Sequence, residues 1–201
     1  ERSISGEGQV VDAAMVDGSA LLMSIFIAID SIGVWGPRGT NLLDGGAHFY
    51  GAYECADGEY VSVAAFEPQF YANLVGRLAT LDVDGLRPAD LPLEAQMDKA
   101  RWPHWKQRLA ALFVTRTRDE WVEFFAGHEI CFAPVLSMAE ARRHPHNVAR
   151  ATFATVDGVE QHAPAPRFSR TPGAIANAPR PAGADTDTAL HTIDAAHRAD
   201  V

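Results

Sequence analysis

"HFYGAYECADGEYVSVAAFEPQFYANL" (48–74) is the stretch on which the reading of this chain turns. "HFYGAYEC" (48–55) and "EYVSVAAF" (59–66) are aromatic and β-branched, as strands are. Between them "ADG" (56–58) holds an Asp-Gly pair, a hairpin turn signal because both residues tolerate positive φ. The second run then meets Pro68, which suits the first position of a helix, where an N–H would go unpaired anyway. "QFYANLVGRLA" continues that helix with Phe70, Leu74 and Leu78 on one stripe. Glu67 is left at the corner between strand and helix. Glu is not among the preferred N-cap residues, which are Ser, Thr, Asp and Asn. It either serves the helix through the macrodipole or is presented there to orient a catalytic group.

The surrounding chain sets the class. Its 201 residues are 47% hydrophobic, enough to bury a core in one large or two small domains. The formal net charge of −9 argues against a nucleic-acid partner, which would need a basic face. The basic runs "RTR" (116–118) and "RRH" (142–144) read as solvated faces. Cys55 and Cys131 lack CxxC partners, so they read as reduced thiols in a cytoplasmic protein. No signal peptide is evident, and "SALLMSIFIAIDSIGVW" (19–35) falls short of the about 20 apolar residues of a membrane span. It reads as a buried core helix. The opening "ERSISGEGQ" starts at Glu1 rather than Met and reads as the middle of a longer polypeptide.

Upstream of the hairpin, "GQVV" (8–11) predicts a short strand feeding a helix from about Asp12, with one broad apolar face. "GVWGPRGT" (33–40) ends it. Downstream, a polar loop is expected over roughly 80–92, then helices in "WPHWKQRLAALFV" (102–114) and "TRDEWVEFFAG" (117–127). Thr117 and Glu120 have capping-box spacing, as do Ser137 and Glu140, and Gly127 is a stop signal. "ICFAPVL" (130–136) predicts a short or edge strand because of Pro134. From about 163 the chain is rich in Pro, Ala and Gly and reads as an extended connector, with a weak last helix in "TALHTIDAAHRADV". The expected fold class is α/β: a small lobe built on a β-hairpin with flanking helices, an N-terminal strand and helix, and an extended C-terminal return.

Several residues are candidates for chemistry. Asp44 in "LLDGGAHFY" (42–50) precedes Gly45 and Gly46, which either make a tight turn or let the backbone pass close to a ligand. With Tyr50 they form a candidate substrate-binding stretch. Met15, with Met23, Ile25 and Phe26, gives a soft apolar surface for core packing or for an acyl chain. "HPH" (144–146) lacks a third ligand, so no metal site is expected, and His48 reads as structural. No G-x-S-x-G elbow, G-x-G-x-x-G or P-loop occurs.

"GQVVDAAMVDG" (8–18), "LLDGGAHFYGAYECADGEYVSVAAFEPQFYANLV" (42–75), "RWPHW" (101–105) and "CFAPVLSMAEARRHPHNVARATF" (131–153) together resemble alpha-methylacyl-CoA racemases, within the family III CoA-transferase superfamily. "PAPRFSRTP" (164–172) is similar to the family's return segment. The resemblance implies a C-terminal portion: the end of a large domain (1–41), a small α/β domain (42–160) and a return segment with its tail (161–201). It also implies an acyl-CoA substrate, no separate cofactor, and an intertwined homodimer with the active site between the large domain of one subunit and the small domain of the other. It further implies that Glu67 matches the family's active-site glutamate, which supports a histidine that exchanges the α-proton.

The chain departs from the family pattern in one respect. The family's His in a "GHDINY"-like segment and its Asp before a "GGG" stretch do not occur here, nor does the Rossmann-like half with its CoA-binding loops. The isolated chain is therefore expected to be inactive without that N-terminal half or a second subunit. CoA transfer and a non-catalytic oligomerisation or binding remnant stand as the alternatives.

Overall fold

The hairpin at 48–66 organises the first of two compact units. In the computed structural model, which describes residues 2–83 and 90–199, strand β1 (Tyr50–Glu54) pairs antiparallel with β2 (Tyr60–Ala64) across the Asp-Gly turn. Short strand β3 (Phe132–Pro134) joins the other side of β2, giving the order β1-β2-β3. Pro134 thus lies on an edge strand, where its missing N–H costs no ladder bond.

Three helices supply the apolar layer. They are α4 (Pro68–Leu78), α5 (Trp102–Phe113) and α6 (Arg118–Phe125). The helical period delivers Tyr71, Leu74 and Leu78 from α4, Trp105, Leu109, Leu112 and Phe113 from α5, and Trp121 and Phe125 from α6 to one core with Val61 and Val63 of β2. Each large side chain so buried contributes about 1.5–3 kcal/mol. The indole N–H groups buried with them find carbonyls, Trp121 Nε1 donating to Phe113 O at 2.8 Å and Trp102 Nε1 to Gln96 O at 2.7 Å. Thr117 and Glu120 form the expected capping box on α6, and Gly127 follows it at φ 75°. The loop expected over 80–92 lies partly outside the described residues.

The N-terminal part differs from expectation. Residues 7–14, including "GQVV", form no strand, because no strand among the described residues pairs with them. A short helix α1 (Arg2–Ser5) precedes them. The helix expected from Asp12 begins at Met15 with Ala14 as its N-cap. The expected single buried helix is two, α2 (Met15–Leu22) and α3 (Ser24–Ser31), jointed at Met23, and neither buries a residue. Phe26, edge-on to Trp35, and Ile29 are half-buried, but most of their other apolar side chains are exposed among the described residues, because apolar pattern alone cannot supply a covering surface.

The contacts divide the chain into two compact units, one ending at Val135 and one beginning at Leu136. The second holds α7 (Met138–Arg143) with the Ser137–Glu140 capping box, α8 (Pro145–Ala149), the hairpin β4 (Phe153–Val156) and β5 (Val159–His162), and α9 (Thr186–Ala199). The β4–β5 turn uses Asp157 at φ 51° and Gly158 at φ 79°, a pair not singled out from sequence. No helix or strand forms from 163 to 185, as the proline-rich composition predicts. Among the described residues no helix is long and apolar enough to cross a membrane.

Candidate active-site corner at Glu67

Glu67 is the N-cap of α4, at φ −69° and ψ 140°. Its backbone does the helix's work, its carbonyl accepting from Tyr71 N at 3.0 Å, while its side chain makes no capping hydrogen bond. The carboxylate is exposed. A Ser or Asp at this position would turn its oxygen back onto the first-turn amides. Glu67 does not, and its exposed carboxylate makes no hydrogen bond to the first turn of its own helix.

The backbone beneath that charge is tied at several points. Ala64 N donates to Cys131 O at 2.9 Å, Phe66 N to Ala64 O at 2.8 Å, and Ala65 N to Phe49 O at 3.0 Å. One turn into α4, the Tyr71 hydroxyl is hydrogen-bonded to His48 Nε2 at 2.8 Å in the core. His48 is 0% exposed, and burial pushes its imidazole down to about 4 from the usual 6.5. It is therefore neutral near pH 7. The structural reading of His48 fits this placement, although it precedes β1 rather than lying in it. Cys131 adopts φ 54°, rare for a residue with a Cβ. Burial and then the negative charges of Glu67 and Glu129 push its thiol up.

The Asp44 loop is a knot of its own hydrogen bonds. Asp44 accepts from Gly39 N and Asn41 N at 2.8 Å and from Asn41 Nδ2 at 2.7 Å. Burial works to raise its carboxyl, but these bonds, with one from Gly46 N, hold it below the usual value. Buried Asn41 ties the same loop back to Gly36 and Pro37. Gly45 has φ 90°, and its carbonyl accepts from Lys106 Nζ of α5. A Cβ on Gly46 would sit 2.6 Å from the Thr40 carbonyl carbon, so only glycine closes this turn. The loop fixes where β1 starts.

The candidates are thus only partly gathered. Tyr50 opens β1 half-buried and opposite Ala64, so the Asp44 loop feeds the strand beside β2, which ends three residues before Glu67. Met15 stands apart on α2, 89% exposed. Among the described residues no group of three or more His, Cys, Asp or Glu is placed to hold a metal. Sequence reasoning missed Gln96, whose side-chain amide donates to Phe66 O at 2.7 Å directly before Glu67. Nothing in "PLEAQMDK" marks that glutamine, because its partners are backbone atoms far away in the chain.

Comparison with known proteins agrees with this architecture. The model of CoA-transferase family III matches residues 1–186. The mouse protein named alpha-methylacyl-CoA racemase is 44% identical over 197 residues, covering 96% of this chain and 48% of the mouse protein. The human protein of that name is 41% identical over 174 residues, covering 86% of this chain and 44% of the human one. Among solved structures, a crystal structure of Rv3272 from Mycobacterium tuberculosis aligns with TM-score 0.64 at 15% identity, over 92% of this chain and 49% of that one, which speaks to fold alone. The chain spans about half the length of the curated relatives it matches. It belongs to CoA-transferase family III.

Proposed function

We propose that this chain is the portion of an alpha-methylacyl-CoA racemase that carries the active-site glutamate. On this reading residues 1–41 end a large domain, 42–160 form the small domain and 161–201 return as an extended tail. The observation that carries the proposal is the Glu67 carboxylate, unused by its own helix and set on a tied corner. The 44% identity to a racemase-named relative supports it.

The chemistry needs such a group. Inverting the carbon next to a thioester carbonyl requires one base to take its proton, the C–H electrons passing into the enolate. An acid on the opposite face then returns a proton. Each positioned acid or base is worth about 10²–10⁴-fold. A carboxylate accepting from the far N–H of a histidine fixes its tautomer and raises its basicity. Glu67 takes that supporting role. The histidine it supports is not His48, which is buried, neutral and bonded to Tyr71. The base comes from the half of the family's length that this chain does not span, in the same polypeptide or in a second subunit of a homodimer. Asp44, Gly45, Gly46 and Tyr50 shape the loop and strand beside the acyl-CoA, Met15 offers an apolar contact to the acyl chain, and no further cofactor takes part.

The test incubates a 2-methylacyl-CoA in deuterated solvent with the chain alone and with the chain completed by that other half. α-Deuterium with epimerisation in the completed protein only, and no movement of CoA between acids, is the expected result. Transfer of CoA without α-proton exchange overturns the racemase reading in favour of a transferase. The largely exposed apolar side chains of α2 and α3 favour one other reading, a non-catalytic oligomerisation or binding remnant, under which the completed protein neither exchanges nor transfers.

A further inference from the structure

Two peptide carbonyls lie between the end of β2 and Glu67, those of Ala65 and Phe66. The strand has ended at Ala64, so neither has a ladder partner. Buried carbonyls need donors. Phe66 is 42% exposed, and Glu67 and Pro68 are also exposed, so side-chain packing does not hold the outer side of this corner.

Gln96 holds it from beneath. Its side-chain nitrogen donates to Phe66 O at 2.7 Å and to Ala65 O at 3.3 Å. Only 7% of Gln96 is exposed. Its own backbone is fastened at both polar atoms. Gln96 N donates to Leu93 O at 3.2 Å, and Gln96 O accepts from Trp102 Nε1 at 2.7 Å. Trp102 begins α5 and is buried in the core. A continuous path thus runs from a core indole to the Gln96 backbone carbonyl, along the Gln96 side chain to its amide, and on to two successive peptide planes and the Cα of Glu67. An amide NH₂ has two hydrogens, and here both are used on consecutive carbonyls. That fixes the direction in which the next residue's side chain leaves the backbone.

We propose that Gln96 is a positioning residue for Glu67, aiming its carboxylate by clamping the Ala65 and Phe66 carbonyls. The catalytic consequence rests on the functional reading above; the mechanical one does not.

Cys131 is the reporter, because its carbonyl binds the same corner and its thiol feels the Glu67 charge. In this chain, alkylation of Cys131 by iodoacetamide is followed against pH, with peptide mass mapping separating it from buried Cys55. Glu67→Gln lowers the apparent thiol pKa. In a Gln96→Leu background that effect shrinks to less than half, because the carboxylate no longer has a fixed place. An effect of Glu67→Gln that is equal in both backgrounds overturns the proposal. Gln96→Glu keeps the shape but offers acceptors where donors are needed, so it serves if the leucine variant fails to fold, with the same outcomes.

In the completed protein, Gln96→Leu lowers kcat for α-proton exchange by about 10–100-fold with KM changed less than about twofold, the pattern of a misplaced group rather than lost binding. If Glu67→Gln leaves exchange unchanged, the functional reading fails while the Cys131 experiment still decides the clamp. If Glu67→Gln abolishes exchange and Gln96→Leu alters neither kcat nor the Cys131 coupling, the clamp alone is wrong.

Discussion

His48 shows how one residue's surroundings set a property of the whole domain. Its ring lies edge-on to Phe49 and Tyr71, with Nε2 bonded to the tyrosine hydroxyl and Nδ1 buried with no hydrogen-bond partner among the described residues. The unfolded chain protonates this histidine near 6.5, while the folded one resists down to about 4. Between those values the unfolded state binds more protons, so stability is complete above 6.5 and falls as pH drops towards 4. The difference amounts to about 2 kcal/mol between pH 7 and pH 5. Urea unfolding measured across that range should show this loss, and His48→Gln should flatten it. Asp44, held below its usual range, adds a loss in the same direction at lower pH. At this scale the sequence was legible where a residue broke a local rule. Glu67 stood out because it occupies a cap position that its type does not prefer. Gln96 obeyed no local rule to break, since both its acceptors are carbonyls from a distant segment.

Elements were legible where the signal was short-range and self-contained. The β1–β2 hairpin, α4, α5 and both capping boxes depend on neighbouring residues and fall where periodicity and turn chemistry place them. Asp157-Gly158 closes a two-residue turn with both residues at positive φ, unlike the longer loop at Asp57-Gly58, where only the glycine is, and it went unread because its flanks, "FATV" and "VEQH", alternate weakly. "GQVV" failed for the opposite reason. A strand needs a second strand, and its own residues cannot guarantee one. The capping box of α6 gives a check at this scale. Thr117 accepts from Glu120 N while Glu120 returns the bond to Thr117 N at 2.7 Å. Thr117→Ala should cost about 1 kcal/mol in chemical denaturation, and Thr117→Asp should recover most of it.

At the scale of the whole molecule, buried and exposed apolar surface are unevenly divided. The first unit has a dense aromatic core, whereas α2 and α3 bury no residue and expose most of their apolar side chains. Composition and period cannot say what covers such a face, so the expectation of a buried helix failed although its apolar pattern is real. Under the proposed function the carboxylate on the strand-to-helix corner is the supporting charge, and the base it supports lies outside the residues of this chain. The account is tested most directly by the rate of α-hydrogen exchange on a 2-methylacyl-CoA, measured by deuterium incorporation in the completed protein with Glu67 and with Glu67→Gln. It predicts a fall of about 10²-fold or more in kcat with the fold intact. Equal rates in the two proteins would contradict it.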